Sequence, residues 1–570
     1  MHSVALSILP FLALIRPSLS APKTDNARLS TRSVCNGNTA GTRSQWCDFN
    51  IDTDYTTTSP DTGVTREYWL ELTDLQLSPD GRSRYTQVFN GTVPGPTLYA
   101  DWGDTVVVHL ANKLSHSSNG TSVHFHGIRQ NYTNNHDGVV SITQCPTPPG
   151  SSVTYTWKAV QYGTSWYHSH FGLQAFEGAY GGIVINGPAT ANYDEDLGVI
   201  SLLDWDKQPA SSMWDVSQTG AQPTLDNGLI NGTNTYGSDG AAGTTGKRFT
   251  TKFEKGKSYR IRLINAAIDT HFRFSIDNHK MMVIANDLVP IVPYNTTTLS
   301  IAMGQRYDII VQADQSSVAQ NFWMRAKPQS CSKNGNADNI KGIVHYGSST
   351  ATPSTTAYST DDNCLDEKAS NLVPHVAKKV GTSLYNSLHN VSISKNDQKL
   401  WRWYLNSTTL KLDWANPTVM QIQNQMTNFA ASDAVFQLEK ADEWAYTVIE
   451  TNFPVAHPIH LHGHDFFVLA QGQGAYNDSV VYNRNNPVRR DTAMLPASGY
   501  LVMAFQTDNP GAWLMHCHIG WHAEQGFALQ YVERQSEIPN IYNSNDLNDN
   551  CNNWASYNSA IGVTQDDSGI

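Results

Sequence analysis

Apolar and polar residues alternate along this chain in short runs, and one such run recurs. From Ala100 to Asn112 it reads Ala-Asp-Trp-Gly-Asp-Thr-Val-Val-Val-His-Leu-Ala-Asn, and from Phe253 to Asn265 it reads Phe-Glu-Lys-Gly-Lys-Ser-Tyr-Arg-Ile-Arg-Leu-Ile-Asn. Both place an asparagine nine residues after a glycine, with β-branched alternation between them. A looser third copy runs from Leu438 to Asn452. Alternation of period two is the signature of a half-buried strand. Gly182–Ile185, Tyr307–Val311 and Phe466–Leu469 read as further strands between Gly, Pro and Asn punctuation. Three copies at wide spacing imply three similar domains rather than a solenoid. The expectation is an all-β protein of three consecutive β-sandwich domains. Their borders are expected near Gly187-Pro188 and within Ser348 to Ser370, which divides the chain into 33–187, 188–370 and 371–570.

Composition narrows this picture. The 570 residues carry 38 Lys+Arg against 50 Asp+Glu, a net charge of -12 that argues against a broad nucleic-acid surface. The aromatic residues supply too much burial for a disordered chain. Val4 to Ile15 is an apolar run too short to span a bilayer, and Ser18-Leu19-Ser20 before Ala21 resembles a cleavage site. Residues 1–20 are therefore expected to be a signal peptide and the protein secreted, extracellular and free of membrane spans. The polar stretch 21–32, with Arg28 and Arg32, reads as a short pro-segment or a frayed terminus. Asn90, Asn119, Asn131, Asn231, Asn295, Asn390, Asn406 and Asn477 open glycosylation sequons, so N-glycans are expected on most of them.

Seven cysteines leave one unpaired. Cys517, between His516 and His518, is poorly placed for a bridge and well placed for a metal. Six cysteines allow fifteen pairings; locality favours Cys35–Cys47 and Cys331–Cys364, which leaves Cys145–Cys551. Twenty histidines scattered at random would give about one His-x-His spacing, a crude baseline. Five occur, in the clusters His124/His126, His168/His170, His460/His462/His464 and His516/His518. On a strand, residues i and i+2 share a face, so each cluster aims two imidazoles at one place. One pair alone would read as polar strand residues; four clusters together read as a metal site. Imidazole by itself does not choose among Cu, Zn, Fe and Ni. Cys517 narrows the choice. In an extended segment it points opposite to its neighbours, so a thiolate site can sit back-to-back with a histidine-rich one. His457 and His522 can complete with Cys517 a two-His, one-Cys set, the one used in blue-copper electron transfer.

The segments His124-Phe-His-Gly, Trp166-Tyr-His-Ser-His170, His457-Pro-Ile-His-Leu-His-Gly-His464 and His516-Cys-His-Ile-Gly-Trp-His522 resemble the copper-ligand signature of the multicopper oxidases, and more narrowly of ascomycete laccases. Asn90–Pro96, Asn509–Trp513 and Asp567–Ile570 support this resemblance, which covers about Cys35 to Ile570. It implies three consecutive cupredoxin-like Greek-key β-sandwich domains and four copper ions: one type 1, one type 2 and two type 3. By position, His457, Cys517 and His522 would hold type 1, and His124 and His460 type 2. His126, His168 and His518 would hold one type-3 ion, and His170, His462 and His516 the other. Phe527 falls where the family places its axial residue. It cannot ligate, so the site should be three-coordinate with a raised reduction potential.

The resemblance further implies oxidation of phenols and aromatic amines coupled to reduction of O2 to water. Asp204 matches the family's pocket acid, with Asp206 its neighbour, and Asp137 an acid near the type-2 copper. Asp508 is a candidate proton donor near the type-3 pair, and both Asp137 and Asp508 also read as turn formers. The tail Asp567–Ile570 resembles one that occupies a solvent channel. A monomer is expected. Competing readings are a ferroxidase, an ascorbate or bilirubin oxidase (disfavoured by Phe527), a non-catalytic copper-binding module, and more distantly a zinc hydrolase.

Overall fold

A computed structural model describes residues 35, 37–117 and 119–570. The expected signal peptide and pro-segment lie outside the described residues. The chain forms three consecutive pairs of facing sheets, all mixed parallel and antiparallel. The first pair has four strands in each sheet; the second and third have six and five.

The three repeated runs fill one structural slot. Thr105–Asn112, Ser258–Asn265 and Trp444–Thr451 each lie between a parallel partner, namely Thr65–Leu77, Glu195–Trp205 or Ser383–Lys395, and an antiparallel one. Alternation explains the slot: Val106, Val108 and Leu110 are buried against the facing sheet while Thr105, Val107 and His109 are partly exposed. The facing sheets also match. His124–His126, Phe272–Ile276 and His457–Leu461 take equivalent places, each paired antiparallel with a strand from the interior of its sheet. The middle copy carries Phe272, Arg273 and Phe274 where the outer copies carry histidines. The fold is repeated; the chemistry is not.

One apolar cluster runs continuously from the second sheet pair into the third, through Phe253, Ile261, Met303, Ile459, Met515 and Trp521, whereas the first pair has its own core around Leu72, Trp102 and Phe125. The disulfides are Cys35–Cys47, Cys145–Cys551 and Cys331–Cys364, and Cys517 is free and buried. The second of these ties the helix Ser544–Ile561 to the first sheet pair across 406 residues. Replacing both Cys145 and Cys551 with alanine should cost about 2–5 kcal/mol, read as a lowered unfolding midpoint with the C-terminal helix exchanging first. An unchanged midpoint would show that packing alone holds the helix. Among the described residues no helix is long and apolar enough to cross a membrane.

Candidate metal centres

Strand geometry builds two sites on opposite faces of one sheet. His457–Leu461 pairs with Gly511–Cys517 so that Ile459 faces Cys517 and His460 faces His516. Successive side chains alternate, so His457 and Cys517 share one face while His460, His516 and His518 share the other. The short helix Gly520–Glu524 then returns His522 to the Cys517 face. There Cys517 Sγ lies 3.7 Å from His457 Nδ1 and 3.6 Å from His522 Nδ1, and the two imidazole nitrogens are 3.2 Å apart. Trp403 and Phe527 pack over this trio, Phe527 with its ring 5.0 Å from that of His457. Burial pushes the thiol up and His457 down to about 3. A neutral imidazole keeps its lone pair, and a buried thiol ionises only when a cation replaces its proton.

On the reverse face, four histidines of the first sheet pair meet four of the third. His124 pairs across its sheet with His168, and His170 follows directly. The ring centroids of His126 and His460 are 3.8 Å apart and those of His124 and His462 4.0 Å; His462 Nε2 and His516 Nε2 are 3.3 Å apart. Burial holds His126, His168, His170, His460, His462 and His518 neutral, their pKa values driven well below the usual imidazole range. The outward nitrogens are anchored. His124 Nδ1 donates to the Asp137 carbonyl at 2.8 Å and His462 Nδ1 to its carboxylate at 2.9 Å. The same nitrogen of His460 donates to the Asp491 carbonyl, that of His168 to Ser169 and that of His516 to Cys517. Such bonds set the tautomer and leave the opposite nitrogen free for a metal. His126 is reversed: its Nε2 meets Asp491 Oδ1 at 3.2 Å, so Nδ1 faces inward.

The inward nitrogens test whether metal fits. His124 Nε2, His126 Nδ1, His168 Nε2 and His460 Nε2 are buried with no protein partner, as are both nitrogens of His518. Orphaned buried polar atoms are costly, and here they converge. Residue trios with ligand atoms within 4.8 Å of one another include His124/His126/His168, His124/His460/His462, His170/His462/His516 and His457/Cys517/His522. The donor sets suit copper: all imidazole on one face, thiolate plus imidazole on the other.

The middle domain walls the cluster. Gly304 has φ +81°, and a Cβ there would lie 2.8 Å from His518 Cδ2 and 3.1 Å from His126 Cε1. Arg306 forks onto both Asp491 oxygens at 2.6 Å, so the second domain braces the carboxylate that orients His126. The sequence reading missed Asp491. Its only signal was an acid in the otherwise basic and apolar strand run Val488-Arg-Arg-Asp-Thr492.

Three expected acids fare differently. Asp137 stands under two cluster histidines, as above. Asp508 does not: it pairs with Arg129 at 2.6 Å, which also holds Asp465, and it hydrogen-bonds no cluster histidine. Asp508 lines a polar cleft with Arg129, His464 and Asp465. Asp204 is buried, and its oxygens accept from Ile268 N, Asp269 N and Thr270 Oγ1 at 2.9–3.0 Å. His464 is a support, bound to the His462 carbonyl and to Glu533.

The tail is docked. Ile570 is buried and lines one small cavity with His168, His170, His516 and His518, while Gly172 N donates to the Ile570 carbonyl at 3.0 Å. Loss of hydration, with Asp566 beside it, pushes the Asp567 carboxyl up to about 7. An acid with a raised folded pKa stabilises docking below its free value near 3.8, and that contribution fades as pH rises through about 7. Exchange of the Ser568–Ile570 amides should therefore be slower at pH 5 than at pH 8, beyond the intrinsic rate change; equal protection would remove Asp567 from the latch.

Comparison with known proteins agrees with this geometry. Family models described as multicopper oxidase match residues 71–190, 196–349 and 406–537. The chain is 48% identical over 560 residues to Laccase-2 of Botryotinia fuckeliana, covering 95% of each. It superposes on the crystal structure of laccase from Botrytis aclada with a TM-score of 0.89 at 47% identity, covering 94% of this chain and 99% of that one. Fet3p, a multicopper oxidase that functions in iron import, superposes with a TM-score of 0.77 at 25% identity, covering 88% of this chain and 96% of that one. With all three sheet pairs matched in order and nearly the full length shared with fungal laccases, the chain belongs to the multicopper oxidase family, in its laccase branch.

Proposed function

We propose that this laccase oxidises phenols and aromatic amines one electron at a time at His457, Cys517 and His522, and reduces O2 to water at the eight-histidine cluster. The observation that carries this reading is the back-to-back placement. Cys517 is unpaired and buried between two imidazoles, while its covalent neighbours His516 and His518 face the other six histidines. We assign type 1 to His457, Cys517 and His522, and type 2 to His124 and His460. One type-3 ion goes to His126, His168 and His518, and the other to His170, His462 and His516. Bound there, four coppers would accept single electrons at one site and store the four that reduce O2 to two waters without releasing partly reduced oxygen.

The chain's own part is placement. Its strands hold imidazoles neutral and oriented, and Asp137 and Asp491 orient two histidines each. Phe527 packs against Trp403 and His457 and offers no donor atom, so a copper held by His457, Cys517 and His522 would gain no ligand from it, which would favour a raised potential. Asp137, fully buried between His124 and His462, is the proton-handling carboxylate we favour for the oxygen side.

The borders proposed at 187/188 and 370/371 are supported by sheet ends: strands stop at Asn186 and resume at Glu195, and stop at Tyr346 and resume at Ser383. Secretion with N-glycans is supported by sequons whose eight asparagines are all at least partly exposed. Copper loading followed by absorption and spin-resonance spectra, then oxygen uptake, tests the whole reading. A blue protein that consumes oxygen with a dimethoxyphenol faster than with ferrous iron or ascorbate is expected. Preference for ferrous iron would favour a ferroxidase, and a blue but inert protein a copper-holding module.

A further inference from the structure

The donor side of His522 is built differently from the expectation placed on Asp204. With its two oxygens taking three hydrogen bonds and only 3% of its surface exposed, Asp204 acts as a peg under the loop Ile268–Thr270. That loop in turn touches the ligand helix, its Ile268 carbonyl accepting from Gly520 N at 2.9 Å. What the loop presents is Asp269, a partly exposed residue whose carboxyl is pushed well above its ordinary value by loss of hydration and by Asp204 beside it.

Beside it stands Gln222, an exposed residue just beyond the helix Ala210–Thr219. Its Oε1 lies 3.2 Å from His522 Nε2, the nitrogen on the ring edge away from the Cys517 thiol, and its side chain is also within hydrogen-bonding reach of Asp269. A glutamine with no buried anchor is an easily displaced partner. A phenolic hydroxyl or an aromatic amine offers what Gln222 offers His522, a polar atom at the same edge, together with a proton for a carboxylate.

Resting on the laccase reading, we propose that Gln222 is a displaceable cover over His522 and that Asp269, not Asp204, is the group that takes the donor's proton. The donor's hydroxyl replaces the Gln222 amide at His522 Nε2. Its O–H bond breaks, the proton passes to an Asp269 oxygen, and one electron leaves through the imidazole edge toward the oxygen-reducing centre. The aryloxyl radical departs and Asp269 returns its proton to water. Asp204 is a positioning residue, acting through the loop.

The test uses copper-loaded wild-type enzyme and the variants Asp269→Asn, Asp204→Asn and Gln222→Ala, with blue absorbance and copper content as loading controls. Two donors are compared, a dimethoxyphenol and ferrocyanide, which has no proton to lose. Asp269→Asn should lower phenol turnover relative to ferrocyanide by about 100-fold and abolish the acid limb of the phenol pH profile. Asp204→Asn should slow both donors in parallel. Para-nitrophenol, which resists oxidation, reports binding through its own absorbance, and Gln222→Ala should bind it about 3–10-fold tighter. An unchanged donor ratio in Asp269→Asn, or a phenol-selective loss in Asp204→Asn, would overturn the assignment of the acid. Unchanged or weaker para-nitrophenol binding in Gln222→Ala would overturn the cover. If wild-type enzyme oxidises neither donor, it is the laccase reading that fails.

Discussion

Replacing Cys517 with serine should bleach the blue absorbance and slow every donor by at least about a thousandfold while the histidine cluster still holds copper. Losing a partner behind a metal ligand typically costs about 10–100-fold. In the proposed reading Cys517 is itself a ligand, and it alone is bonded directly through the chain to both His516 and His518. Serine matches the shape, but its hydroxyl will not ionise in a pocket whose burial already pushes a thiol up. The fold should survive, since Cys517 makes no disulfide and its main chain keeps its bond to the Phe527 carbonyl. Absorption, spin resonance and oxygen uptake on the same sample decide the matter. Retained blue colour, or turnover above about a tenth of wild type, would mean that electrons enter elsewhere.

The second large effect is expected at a residue one carboxylate removed from a proposed ligand. Arg306→Met should destabilise the protein by about 3–5 kcal/mol and lower its copper content, because it strips the partner from a buried carboxylate. Arg306 is fully buried, forks onto Asp491 and lies 3.5 Å from Asp287. Burial, with Asp287 close by, raises Asp491 to about 6 even with the arginine present. Without it Asp491 would take up a proton at neutral pH and could no longer accept a hydrogen bond from His126 as a carboxylate. Denaturant titration and metal analysis of the variant check both halves. Normal stability with normal copper would show that Asp491 needs no bracing from the middle domain.

Much of the molecule is legible in its sequence. Alternation around Val106, Val108 and Leu110 identified the repeated strand, because period-two burial follows from the pleat itself. The odd cysteine count, with Cys517 between histidines, identified the one thiol left free. The acids were legible only in part. Asp137 and Asp508 both read as turn-forming aspartates; one stands under His124 and His462, and the other is held by Arg129. Asp204 matched a family position, yet its neighbour in space, Asp269, is the more open carboxylate.

What the sequence alone determined was the group of candidate side chains and which of them share a face, since chain covalency and strand alternation settle whether residues two apart point together. Only the tertiary structure decided which carboxylate meets which imidazole. His462 and Asp137 are 325 residues apart, and Arg306 and Asp491 185. No local period connects such pairs; they meet because different sandwiches pack against one another, and burial and hydrogen bonding rather than the pleat decide which side chains pair there.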